Sequence, residues 1–218
     1  NSLIGKASPL TLVLEEGKQY YLSIGNDRYQ PVADPYTFTS KKLMAAPKDE
    51  NENNNEPIRA TVIQPNEVKT GNFVLPNDVD MYYYKHRSAD DIFSVFVAPN
   101  PLPNKDSVPS ALRGTLIPYV TIVEDTNGNM TIDKDEAAKA IDFWPNGFDS
   151  LYNVNGSFKA KKNTGYFFVT QGYNGNGMSL QSYRFGIEPF NKNDEDAKSA
   201  VKNNVPSKPL GFQKTGNV

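Results

Sequence analysis

The chain is expected to be all-β: an antiparallel β-sandwich, jelly-roll-like, with one short helix after an EF-hand-like loop. Three observations predict this. The 218 residues include 12 Tyr and 12 Phe, most of them in short alternating runs. Asn, Gly, Pro and Asp bound those runs, as they bound strands that end in turns. Only one stretch, KDEAAKAIDF (134–143), has helix-forming content, and it spans about three turns at most.

The strand candidates follow in order. LTLVLE (10–15) and QYYLSI (19–24) flank the turn Glu16-Gly17-Lys18, and YTFTS (36–40) follows a loop. Then come GNFVL (71–75), DMYYYKH (80–86), DIFSVFVA (91–98), LIPYVTIVE (116–124), GSFKAK (156–161), GYFFVTQGY (165–173) and SYRFGIE (182–188). Most have the length of ordinary strands.

An internal likeness suggests how these are grouped. KTGNF (69–73) recurs as KTGNV (214–218), 145 positions on, and the acidic Asn-rich stretches KDENENNNEP (48–57) and NDEDAKSAVKNNVP (193–206) place Asp49 and Asp194 at the same separation. Tyr36 and Tyr183, each opening a Tyr-x-Phe strand, lie 147 apart. A period of this kind predicts a window cut from a tandem array. Residues 1–47 would be the C-terminal strands of a preceding repeat, 48–190 a complete unit and 191–218 the start of another. Chance likeness between short β-segments is the alternative. The abrupt opening, NSLIGKASPL, agrees with a piece of a longer protein.

Composition narrows the chemistry. With 23 basic and 25 acidic residues the net charge is -2, and no Lys/Arg stripe suggests a nucleic-acid surface. Cysteine is absent, which excludes disulfides, thiolate metal sites and cysteine nucleophiles. No apolar run approaches the ~18 residues that span a membrane. His86 is the only histidine. It sits on an alternating strand, where a packed or solvated role is commoner than general-base work, and no Gly-x-Ser-x-Gly elbow accompanies it.

The acids point instead to a cation. Asp125, Asn127, Asn129, Thr131, Asp133 and Glu136 occupy positions 1, 3, 5, 7, 9 and 12 of a twelve-residue loop, the EF-hand spacing. Calcium takes about 6–8 oxygen ligands. Alternating side chains curl inward to supply them, position 7 adds a carbonyl, and the Glu closes the cage. Ile132 stands at the apolar position 8. Met130 stands at position 6, where Gly usually makes the sharp turn, and Gly128 offers an earlier bend. A solvated Asn-Gly turn is the alternative, although it asks for no acid at positions 1, 9 and 12.

Residues 48–190 resemble the bacterial pre-peptidase C-terminal domain, a β-sandwich appended to secreted proteases and related to the collagen-binding domain of clostridial collagenases. The likeness rests on ENNNEPIRAT (52–61), KTGNFVL (69–75), NDVDMYYYK (77–85), TGYFFVTQGYNGN (164–176) and SYRFGI (182–187). The insert at 99–115 and the acidic segment at 125–136 are departures. The resemblance implies a second calcium site, with Glu52, Asn54 and Asn55 of the linker paired with Asp78 and Asp80. An acidic linker has little reason to order unless a cation neutralises it. A plain acidic linker beside a simple turn is the alternative.

The resemblance also implies a non-catalytic, calcium-stabilised spacer or attachment module. It would be secreted, possibly cell-wall associated, and part of a Gram-positive protein such as a protease. Its partners would be the parent catalytic domain or a polymer such as collagen or cell-wall polysaccharide, with neither nucleic acid nor membrane. A ligand-binding module is the second reading and a small hydrolase the third. The rings of Tyr82, Tyr83, Tyr84, Tyr166, Phe168 and Tyr173 are expected mainly in the core, with an exposed ligand-binding stripe as the alternative. Trp144 is expected in the core or as a loop anchor.

Overall fold

The structure is a computed structural model of the chain and describes residues 14, 16–23, 37–42, 49–73, 78–101, 115–145, 152–173 and 179–190. Two compact units are present, 1–46 and 47–218.

In the first unit, two sequence expectations require correction. The described parts of the expected strands at 19–24 and 36–40 are not strands. A strand needs a hydrogen-bonded neighbour and a face to bury. Here Tyr20, Tyr21, Leu22 and Phe38 remain exposed. Most of the expected strand at 10–15 lies outside the described residues, as do 191–218 and with them the second copy of the repeated motif.

The second unit is the β-sandwich. Its strands are β1 (Thr61–Val62), β2 (Val68–Asn72), β3 (Val79–Lys85), β4 (Asp91–Pro99), β5 (Pro118–Asp125), β6 (Ile141–Phe143), β7 (Val154–Ala160), β8 (Gly165–Gly172) and β9 (Ser182–Pro189). One sheet has the order β1-β3-β8-β5-β6 and the other β2-β9-β4-β7. Neighbours are antiparallel except β1, which runs parallel to β3 at the sheet edge.

Alternation builds the core. On β4, Phe93, Val95 and Val97 point inward while their neighbours are half-exposed, as a period of two requires. They meet Tyr82, Tyr84, Val120, Ile122, Tyr166 and Phe168 of the larger sheet and Tyr183, Phe185 and Ile187 beside them. Tyr82 stacks on Phe185 with ring centroids 4.2 Å apart, which joins the two layers.

The larger sheet is also covered on part of its outer face. Tyr83, Val123 and Phe167 are buried there beneath Met130, Ile132 and Ala140 of the loop after β5. Tyr82, Tyr83, Tyr84, Tyr166 and Phe168 are therefore all core residues, and only Tyr173 of the six ring candidates is exposed.

The helix is a single turn, α1 (Lys134–Ala137), shorter than the expected 134–143. Residues 141–143 form β6 instead. Ile141 and Phe143 pair with Ile122 and Val120 of β5. The ladder captures their backbone groups and packs Phe143 against the core, an advantage that local helix propensity cannot match.

Candidate metal centre

Two acidic clusters were expected, and the structure treats them differently. In the loop 125–136, the chain makes the EF-hand-like bend. Gly128 has φ +73 and Met130 φ +60, so Met130 adopts the left-handed conformation that position 6 demands although it carries a Cβ. Successive turns follow: Asn129 N–H donates to Asn127 Oδ1 at 3.0 Å and to Asp125 Oδ1 at 3.1 Å, and Thr131 N–H donates to Asn129 Oδ1 at 2.9 Å. Asp125 is fully buried at the end of β5, and its Oδ2 accepts from the Tyr83 hydroxyl at 2.8 Å.

The loop satisfies its own acids. Asp133 Oδ2 accepts from the Asn127 amide at 2.7 Å and the Asn129 amide at 3.0 Å. Glu136 accepts from Thr126 N–H and Oγ1–H at 2.8 Å each and from Asp133 N–H at 3.2 Å. Burial would raise the pKa of Glu136, but these hydrogen bonds prevail and hold it below the usual range. The three expected ligand carboxylates, Asp125, Asp133 and Glu136, do not converge on one point. A cation there would have to rotate the two amides away from Asp133.

The second cluster does converge. Glu52, Asp78 and Asp80 each bring one carboxylate oxygen to within 4.8 Å of the others, the only such acidic group among the described residues. Asp80 is on β3, facing between the sheets like Tyr82 and Tyr84. Asp78 precedes the strand, and both are buried. The linker is tied beside them. Met81 N–H donates to the Asn54 carbonyl at 3.2 Å, Asn72 N–H donates to Asp49 Oδ2 at 2.7 Å, and the Asn51 amide donates to the Thr70 carbonyl at 2.6 Å.

Two oxygens of the expected ligand residues are buried without a hydrogen-bond partner: Asn54 Oδ1 and Asp80 Oδ1. Such orphans are rare because each costs on the order of 1–3 kcal/mol. The Asn55 amide lies against Asp78 Oδ1 and the Val79 carbonyl, donating through its nitrogen in one orientation and adding a further oxygen in the other.

Burial and neighbouring acids dominate the electrostatics here. Burial, reinforced by Glu52 and Asp49, pushes Asp78 up to about 7. Burial pushes Asp80 up to about 8, against the Tyr183 hydroxyl that donates to it, with Asp49, Asp78 and Glu52 adding to the rise. Tyr183 continues to the Tyr82 hydroxyl at 2.9 Å. The acid on β3 is thus linked to β9 of the opposite sheet.

Sequence reasoning named Glu52, Asn54, Asn55, Asp78 and Asp80 but missed Asp49 and Tyr183. Asp49 stood in the same acidic stretch and could have been included. Tyr183 is 103 residues from Asp80, and no local signal connects them. His86 is buried, its Nδ1 2.9 Å from the Tyr84 hydroxyl and its Nε2 2.8 Å from the Ala89 carbonyl. Both ring nitrogens are engaged, so this histidine is a packing residue.

No protein-family model matches the chain, and no curated protein matches it in sequence. Among solved structures, the fold is similar to the pre-peptidase C-terminal domain of a collagenase from Bacillus anthracis, with 16% identity over 59% of this chain and 94% of that one and a TM-score of 0.37. At that level the likeness extends no further than general architecture, which the strand pairings establish by themselves. No helix among the described residues is long and apolar enough to cross a membrane.

Proposed function

We propose that residues 48–190 form a calcium-stabilised, non-catalytic accessory module of a secreted or cell-wall-associated protein, serving as a spacer or attachment domain beside a catalytic domain such as a protease. One observation carries the calcium reading: three carboxylates converge, and Asp80 Oδ1 among them, like Asn54 Oδ1 of the adjoining linker, is buried with no hydrogen-bond partner. The ligand set is all oxygen, which suits a hard cation. Six to eight ligands in irregular array suit calcium better than the strict octahedron of magnesium. Glu52, Asp78, Asp80, Asn54 and Asn55 would hold the ion, supplying both negative charge and neutral oxygens.

The ion would neutralise acids that otherwise repel one another and would fasten the linker to β3. Sites of this type in extracellular modules bind at roughly 10⁻⁴–10⁻³ M. The accessory role and the secreted setting are supported by the motif resemblance in 52–85 and 164–187 and by the engagement of His86 in packing. Calorimetric titration of the chelator-treated chain with calcium tests the proposal. Saturable binding lost in Asp78→Asn is the expected outcome. Absence of binding at 10 mM-scale calcium, on the order of ten times the weakest affinity expected, would refute it.

A further inference from the structure

We propose that Tyr119, Trp144 and Tyr173 form a platform for a neutral polysaccharide. The loop after β5 covers the outer face of the larger sheet over Tyr83, Val123 and Phe167. Beyond that cover, Tyr119 of β5 stacks on Trp144 with centroids 4.6 Å apart and planes at 15°, and Trp144 meets Tyr173 edge-on at 5.6 Å and 82°. Trp144 is 47% and Tyr173 52% exposed. These three contiguous rings lie outside the buried core, and exposed ring clusters of this kind mark binding surfaces.

The rings are held in place. The Tyr119 hydroxyl donates to Gln171 Oε1. Tyr173 N–H donates to the Ile117 carbonyl at 2.6 Å. Preorganised rings lose little entropy when a ligand docks.

The bordering charge selects the ligand. Thr121 donates to Asp142 Oδ1 at 2.5 Å, and Asp142 is the charged group that acts on the Tyr119 phenol. An anionic polymer would be repelled here. A proline-rich peptide presents chiefly carbonyl acceptors, which a carboxylate cannot satisfy. A neutral sugar presents hydroxyls that donate to Asp142 and accept from the Gln171 amide, and its C–H faces lie against the rings.

The test uses the whole chain. Retention on insoluble chitin, cellulose, starch and β-1,3-glucan is measured, together with fluorescence titration by the corresponding soluble hexasaccharides. Trp144 is the single tryptophan, so the signal reports this surface. The expected result is retention on at least one glycan with saturable quenching or shift. Retention should weaken at least tenfold in both Trp144→Ala and Tyr173→Ala, with melting temperatures unchanged. Failure to bind any of the four glycans, retention undiminished in both variants, or binding confined to a proline-rich peptide would overturn the proposal.

Discussion

Replacing Asp80 by Asn should stabilise the ion-free protein and blunt its response to calcium. In the ion-free protein, Asp80 is buried against Asp78, Glu52 and Asp49, and its pKa rises from 3.8 to about 8. At about 1.4 kcal/mol per pH unit, holding this group ionised above pH 8 costs on the order of 5 kcal/mol as an upper bound. Asn is uncharged, keeps an oxygen to accept from Tyr183, and places its amide where Asp80 Oδ1 now lacks a partner. In chelator at pH 8, Asp80→Asn should therefore melt above the parent. With calcium at about 100 times its dissociation constant, the parent gains about 2.7 kcal/mol. For a domain of this size that corresponds to about 5–10 °C. Asp80→Asn should gain much less, so calcium narrows the gap between the two melting curves by up to about 2.7 kcal/mol. Circular dichroism or calorimetric melts at pH 8 in chelator and in 10 mM-scale calcium, about ten times the upper end of affinities for extracellular sites, provide the assay. If both proteins rise equally with calcium, the ion binds elsewhere, with the 125–136 loop as the first alternative. If Asp80→Asn melts lower in both solutions, the argument from charge burial is refuted.

The same electrostatics predict a pH dependence. Asp78 and Asp80 have folded-state values of about 7 and 8, above 3.8. The native ion-free state thus holds more protons, and stability is fullest below pH 4 for these groups and declines as pH rises to 8, by at most about 1.4 kcal/mol per pH unit per group. Urea unfolding at pH 5 and pH 8 should show the decline in chelator and its suppression in calcium; a stability that increases with pH in chelator would contradict it. Tyr183→Phe removes the donor to Asp80 and the partner of Tyr82 while preserving the ring stack on Phe73. A loss of about 1–3 kcal/mol with a smaller calcium-induced rise in melting temperature is expected, and an unaltered rise would sever Tyr183 from the site. Glu136→Gln strips one charged acceptor from Thr126 and Asp133, at a cost of about 1–2 kcal/mol at neutral pH. Because the Glu136 pKa is lowered, its contribution is present above about 4.5 and lost as pH falls through the folded value. The melting gap between parent and variant should therefore close in acid, and a gap that persists at pH 2 would count against the hydrogen-bonding account.

Local periodicity made much of the sandwich legible. DIFSVFVA (91–98) reads as a strand from its β-branched and aromatic content, and a period of two puts Phe93, Val95 and Val97 on one face. Strands β3, β5, β7, β8 and β9 lie close to where their runs predicted. The EF-hand-like bend was readable because its acids and amides fall at alternate positions of one loop, whereas Asp78 and Asp80 were named only through the family resemblance. Tertiary structure decided what covers each face. Alternation alone assigns Tyr83 and Phe167 to the side opposite Tyr82 and Phe168, yet the loop over the outer face buries both sets. It likewise left Trp144 at the surface, drew 141–143 out of a helix into β6, and brought Tyr183 from the opposite sheet to Asp80. A period of two specifies direction relative to a sheet, but burial and pairing depend on elements scores of residues away. Those are the interactions that bring Glu52 to Asp78 and Asp80 and bury the two aspartates together.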